Sequence, residues 1–234
     1  MEQKGMSMKI ECFTVGNFSV NTYLITDEAT GKSAIIDTGE TNQLVRNIQS
    51  KQPAVNVVMI LLTHSHLDHA GALPLLQEVW DVPTYLPKKD RPLFDTLPMQ
   101  GSMFGMPHLN RSCGKITQEI DDGFEIMLGN TRLKFLSTPG HTPGQGCWYN
   151  ADDMTDIIVG DTLFAGSIGR TDFPMSNRGE MKESLRRLLN LPGEMRVHSG
   201  HGPVTTLGRE LATNPFLGYL RQERGMPIGR SLSW

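Results

Sequence analysis

Six consecutive positions in THSHLDHAGA, His64 to His69, hold three of the chain's seven histidines together with Asp68. A His-x-His-x-Asp-His string arises by chance in a chain of this composition at roughly 4 in 10,000, well below the background for short motifs. A purely structural role is a poor account, because buried imidazoles need hydrogen-bond partners and three close neighbours would compete for them. Neutral imidazole and carboxylate are the ligands that borderline divalent cations prefer, so the string points to metal coordination.

His64 and His66 lie two apart on an extended segment and face the same way, which lets them share one ion. Asp68 and His69 follow a bend in the chain and can face a second ion beside it. Four residues do not complete two sites, and three further candidates follow apolar strand-like runs: His141 in STPGHTPG, Asp161 in IIVGDTLF and His201 in VHSGHGP. Each has a plainer alternative, a turn-capping aspartate or a surface histidine. Taken together they assign His64, His66 and His141 to one ion and Asp68, His69 and His201 to the other, with Asp161 bridging. Three protein ligands and a bridge leave each ion an open position, as catalytic rather than structural sites do. Two cations about 3.5–4 Å apart can hold a bridging hydroxide at neutral pH. Asp68, Asp161 and His201 are accordingly also the candidate catalytic residues. Zinc is the expected ion, with iron or manganese as alternatives.

The elements that must position these side chains are short. Strands are predicted at Ile10–Val15, Thr22–Thr26, Ser33–Asp37, Val55–Leu62, Thr84–Leu86, Phe124–Leu128, Arg132–Leu136, Gly146–Asn150, Ile157–Val159 and Arg196–Val197. Helical patterns run over Gln43–Lys51, Ala72–Trp80, Met181–Leu189 and Thr206–Leu220, and the helix after the histidine string is expected to begin near Ala70. Two groups of strands, each followed by helices, imply two sheets packed face to face with helices outside. Residues 87–115 stand apart as an irregular excursion with a short helix, its Met99, Met103, Phe104 and Met106 suited to a lid, a subunit contact, or simple packing on the domain. His108 in this stretch reads as a loop histidine. Residues 1–7 are expected to form a flexible tail.

Bulk properties narrow the function class. At 234 residues, 38% hydrophobic and 20% charged, one domain with a buried core is expected over residues 1–234. A net charge of −3 gives no broad basic face for nucleic acid. The longest apolar run, Val57 to Leu62, is too short to cross a bilayer, and MEQKGMSMK has no signal-peptide core, so the expected setting is cytoplasmic with no membrane partner. Cys12, Cys113 and Cys147 are odd in number and form no CxxC pair, which fits reduced thiols, Cys113 being the one expected to be reactive.

THSHLDH, PGHTPG, GDTLF and GHGP, in this order, resemble the metallo-β-lactamase superfamily from about residue 8 to 220. The resemblance implies an α/β fold, the αβ/βα four-layer sandwich, with the site at the edge between its sheets, and it implies that Asp37 in IIDTG orients the histidine loop. GDTLFAGSIGR further resembles the hydroxyacylglutathione hydrolases of the glyoxalase II type, particularly short bacterial relatives, which implies hydrolysis of S-lactoylglutathione or a similar small-molecule thioester. In that family a basic residue at the position of Arg170 binds a glutathione carboxylate; the alternative is a pair between Arg170 and Asp172. The chain departs from the larger family members in carrying GHGPV for GHEYT and in its VHSGHGP, whose His198 has no assigned role, and their larger C-terminal helical domain is not expected here. A thiolate leaves with a pKa near about 8–9 and needs little protonation, and no Lys, Tyr or His beyond the candidate ligands stands out as a proton donor, which favours a thioester over an amide.

GRTDF at Gly169–Phe173 is also similar to the persulfide dioxygenases, which implies a mononuclear iron site using His66 or His64 with His141 and Asp161. A lactonase would use the same hydroxide on a ring ester, and a non-catalytic metal-binding module would bind ions without turnover. Homo-oligomerisation through residues 99–106 is a further expectation.

Overall fold

The computed structural model describes residues 8–106, 112–227 and Leu232. The expected tail at 1–7 and His108 lie outside them.

Apolar, β-branched segments pair in chain order to build the first sheet. β1 (Met8–Val15), β2 (Val20–Asp27) and β3 (Lys32–Ile36) are antiparallel neighbours, and β4 (Asn56–Leu61), β5 (Thr84–Pro87) and β6 (Gln118–Ile120) extend the sheet in parallel. β7 (Glu125–Leu128), β8 (Thr131–Ser137), β9 (Gly146–Asn150) and β10 (Asp156–Gly160) start the second sheet, and β11 (Leu163–Phe164) with β12 (Ser167–Ile168) forms a separate hairpin. β13 (Arg196–Ser199) and β14 (Thr205–Thr206) complete the second sheet in the order β14-β13-β10-β9-β8-β7.

The period-2 alternation of these strands makes the layers. Tyr23, Ile25, Ile36, Met59 and Leu61 of the first sheet meet Leu133, Phe135, Trp148 and Ile158 of the second in one buried cluster. Leu24, Ile35 and Ile60 point the other way, into a second cluster formed with the helices over the first sheet. Those helices are α1 (Gln43–Gln49), α2 (Leu67–Ala70), α3 (Leu73–Gln77), α4 (Arg91–Phe94) and α5 (Leu97–Met103). Ile157, Val159 and Val197 face a third cluster under α6 (Arg178–Leu188), α7 (Leu207–Thr213) and α8 (Gly218–Glu223). The result is helices, sheet, sheet, helices. Trp148, 1% exposed, ties the sheets by donating its indole N–H to the Leu62 carbonyl at 3.2 Å, next to the histidine string.

Several elements differ from the sequence expectation. The pattern at 206–220 is one apolar face but three pieces: Asn214 is extended (φ −66°, ψ 122°), as the residue before Pro215 prefers, and its side chain accepts the Phe216 N–H. The helix expected over 72–80 is Leu73–Gln77, with single i→i−4 bonds from Glu78 N–H to Pro74 O and Trp80 N–H to Leu76 O carrying the turn on before the chain enters β5. Helical structure after the histidine string begins at Leu67, three residues earlier than expected, so Asp68 and His69 sit on a one-turn helix. Among its described residues the excursion holds a 3-10 turn at Lys88–Asp90, then α4 and α5, with Phe94, Leu97 and Met106 buried while Met99, Met103 and Phe104 are exposed. Cys113 is half-buried, and burial together with the nearby Asp95 pushes its thiol pKa up, opposite to the expected reactivity. Among the described residues no helix is long and apolar enough to cross a membrane.

Candidate metal centre

The seven candidate ligands come from four loops at one end of the two sheets. β4 ends at Leu61, and the chain continues through Thr63, His64, Ser65 and His66 into α2 with Asp68 and His69. His141 lies between β8 and β9, Asp161 follows β10, and His201 follows β13. Ligand-type atoms of His64, His66 and His141 lie within 4.8 Å of one another, as do those of Asp68, His69 and His201, and those of His64, His69 and Asp161. Asp161 stands between the sets: its Oδ1 is 3.3 Å from His69 Nε2, and its Oδ2 is 3.5 Å from His141 Nε2 and 3.7 Å from His201 Nε2.

Whether these residues suit a cation is answered by their unsatisfied atoms. His64 Nε2, His69 Nε2 and Asp161 Oδ1 are buried and lack hydrogen-bond partners among the described residues. Orphaned polar atoms carry a full desolvation cost, so three aimed at one another are expected where an ion completes them. The donor set, imidazole nitrogen with carboxylate oxygen, suits zinc, iron or manganese. The group therefore fits.

The histidine tautomers are set by neighbours. Asp37 accepts at Oδ2 from His69 Nδ1 at 2.8 Å and from the Thr63 hydroxyl at 2.7 Å, while its Oδ1 accepts the Thr63 N–H at 2.8 Å. Asp37 adopts a left-handed φ of 61° at the end of β3, which turns its carboxylate under the histidine loop. His141 Nδ1 donates to the Arg170 carbonyl at 2.8 Å, leaving Nε2 toward the cluster. The His201 loop is held by Asn21, which receives no ion itself but donates to the Ser199 and Gly202 carbonyls, and by the Tyr23 hydroxyl on Ser199 O at 2.5 Å. Gly200 has no alternative: a Cβ there would fall 2.2 Å from Asp161 Oδ1 and 2.6 Å from His69 Cε1.

Charge follows burial. Burial, and then the neighbouring His69, holds His64 well below the usual imidazole range, and burial with His141 lowers His66 to about 3, so both are neutral donors. Burial also opposes a proton on His69, but Asp161, Asp68 and Asp37 outweigh it and raise that group; Asp68 and Asp161 raise His201 likewise. Burial works against ionisation of Asp68 and Asp161 too, and the surrounding histidines overcome it and lower both. The carboxylates of Asp68 and Asp161 thus draw positive charge toward His69 and His201, as a proton or a cation. Side-chain exposure of 31% at His201 and 18% at Asp68, against 0% at His69, places the mouth of the site on that side.

Arg170 forms the alternative pair: Nε and one terminal nitrogen donate to the two Asp172 oxygens at 2.9 and 2.8 Å, and the guanidinium stacks 4.1 Å over the Phe173 ring. Phe173 in turn packs edge-on against His66 and His141. His198 belongs to none of the ligand-type groups among the described residues. It bonds Asp156 at 2.6 Å and packs against Tyr23, where burial, opposed by His198 and Arg196, leaves the Asp156 carboxyl lowered to about 2.

Two further residues, unmarked by any motif, brace the cluster from a distance in sequence. Asp90, in the excursion, is fully buried and accepts from Ser65 N–H, the Thr142 hydroxyl and Gly144 N–H. Gln100 of α5 accepts the Leu67 N–H at 3.0 Å, bracing the histidine loop. A buried carboxylate in a stretch without other pattern leaves no local signal, and neither does a backbone carbonyl such as that of Arg170.

A two-sheet α/β sandwich with a histidine–aspartate cluster at one sheet end defines a class of metal-dependent hydrolases. The sequence pattern of the metallo-beta-lactamase superfamily matches residues 15–201, and the chain belongs to that superfamily. Among its relatives is the hydroxyacylglutathione hydrolase GloC of Haemophilus influenzae, 36% identical over 214 residues, covering 90% of this chain and 98% of GloC. The crystal structure of TTHA1623 in a di-iron-bound form superposes with a TM-score of 0.78 at 35% identity, covering 88% of this chain and all of that one. ETHE1 from Myxococcus xanthus superposes with a TM-score of 0.71 at 25% identity, over 94% of this chain and 92% of its own.

Proposed function

We propose that this superfamily hydrolase cleaves the acyl thioester of a small thiol, of the S-lactoylglutathione type, at two divalent cations, with zinc the expected ion. The observation that carries the reading is the pair of three-residue ligand sets with Asp161 standing between them. Bound there, two cations supply hydroxide at neutral pH and polarise a carbonyl.

The chain's own residues supply position and charge. His64, buried, and His66, half-buried, stay neutral, Asp37 and the Arg170 carbonyl point His69 and His141 inward, and the exposed edge at His201 and Asp68 admits the substrate. Phe173 packs on His66 and His141, and Phe164 on His201, giving the entrance apolar walls. A thiolate departs at neutral pH without a protein acid, which suits a site whose histidines and aspartates are all candidate ligands. The likeness to GloC supports the same substrate class.

Gly169–Phe173 and the likeness to ETHE1 favour a second reading, oxidation of a persulfide at a single iron. Elemental analysis of the purified protein, beside hydrolysis of S-lactoylglutathione and oxygen uptake with glutathione persulfide, separates the two. About two zinc-type ions per chain with thioester turnover supports the hydrolase. About one iron per chain with oxygen uptake and no thioester turnover replaces it with the dioxygenase.

A further inference from the structure

The two sets of ligand atoms are braced differently. His69 of the second set is held by Asp37 at its side chain and by Thr38, whose N–H donates to the His69 carbonyl at 2.7 Å. His201 is held through Asn21, whose N–H donates to the Gly200 carbonyl at 2.7 Å. Both sets span the two sheets: Asp68 and His69 follow β4 while His201 follows β13, and in the first set His64 and His66 follow β4 while His141 follows β8. Asp90, from neither loop, joins them. Its Oδ2 accepts the Ser65 N–H at 2.8 Å, between His64 and His66, and the Thr142 hydroxyl at 2.9 Å, next to His141. Its Oδ1 accepts the Gly144 N–H at 2.5 Å.

A carboxylate with no solvent exposure is stable only when donors surround it, and these donors come from the two loops whose separation sets the first site. The junction is tight. A Cβ at Gly144 would lie 2.6 Å from Asp90 N and 2.8 Å from its Cβ, so glycine is required for the carboxylate to reach both loops.

We infer that Asp90 is a positioning residue for the His64, His66 and His141 set alone, clamping the two loops at the spacing one cation needs, while the Asp68, His69 and His201 set is independent of it. The inference rests on the reading that these residues hold two ions. Neither requires that the substrate be a thioester.

Asp90→Asn keeps one oxygen. If that oxygen stays with Ser65 and Thr142, the amide NH2 meets the Gly144 N–H; if the amide turns over, it meets the Ser65 N–H. Either way one backbone donor of the clamp is lost. Zinc affinity by chelator competition, on the full chain, tests the consequence in two backgrounds: His201→Ala, which retains the first set, and His66→Ala, which retains the second. Asp90→Asn should weaken the remaining ion about 10–100-fold in the first background and change it less than about 3-fold in the second. Equal losses in both would make Asp90 a general fold residue, and no loss in either would remove the clamp. If Asp90→Asn does not fold, Thr142→Val, which removes a single donor and keeps the carboxylate, should show the same asymmetry at a few-fold. Site-selective zinc loss without thioester turnover in the wild type would leave the clamp standing and overturn the thioesterase reading; turnover without selectivity would do the reverse.

Discussion

Replacing Asp37 by Asn separates the orientation of a ligand from the stability of the fold. At φ 61° an alanine would add the cost of left-handed backbone, about 1–2 kcal/mol, whereas Asn tolerates that region. Alanine would also orphan the buried Thr63 N–H at about 1–3 kcal/mol. Asn avoids both, because its oxygen can keep the Thr63 N–H and its NH2 can donate to the Thr63 hydroxyl. The NH2 then also faces His69 Nδ1, 2.8 Å away from the present carboxylate oxygen. That nitrogen must become an acceptor, and the ring proton moves to Nε2, the atom directed at Asp161 and Asp68. The lost charge-assisted bond is worth about 1.5–3 kcal/mol, a factor of about 10–100 in affinity for the second ion. Chelator competition should therefore show one zinc weakened by that factor, while the thermal midpoint of the metal-free protein falls by only a few degrees. Two ions bound as tightly as in the wild type would refute the claim that Asp37 sets the His69 tautomer. A collapse of the metal-free fold would show that the carboxylate charge itself holds the loops.

Asp161→Ala removes the oxygens lying between the two sets and should lower occupancy of both ions and cut turnover by at least about 100-fold; two retained ions at a normal rate would end its role as the bridge. Stripping metal should lower the melting temperature, since ions held about 1,000-fold above their Kd contribute about 4 kcal/mol, and calorimetry with graded zinc should show the midpoint rising with concentration. Arg170→Ala should raise KM for an anionic thioester by no more than a few-fold with kcat unchanged, because Asp172 already occupies the guanidinium; a fall in kcat at constant KM would put its role elsewhere. Asp156 has a lowered folded-state pKa, about 2, so its contribution is complete above the ordinary carboxylate value and is lost as pH falls through about 2. Acid unfolding followed from pH 5 to 2 should be shallower in Asp156→Asn, and an unchanged slope would mean that the His198–Asp156 contact carries no pH-linked stability.

Local features were readable from the chain before it folds. Ligand-type residues within six positions, strand-end histidines flanked by glycine and proline, and apolar runs of alternating period all declare themselves within a few residues, because their chemistry depends on spacing along the chain. The sandwich and nearly all the longer strands were legible on that basis, whereas β6, β11, β12 and β14 are two or three residues each and too short to carry a period. Asn214 and Pro215 marked a helix break in plain view, yet the apolar face continues through it and read as one helix. Tertiary structure alone decided which side chains meet. Asp90 reaches Ser65 across 25 residues and Gly144 across 54, Tyr23 reaches Ser199 across 176, and His198 finds Asp156 across 42. No pattern in either partner of such a pair records the other, since the contact exists only once two sheets close on a shared core and bring the ends of distant strands together. The same closure brings the ligand-type atoms of His64, His66 and His141 within 4.8 Å of one another.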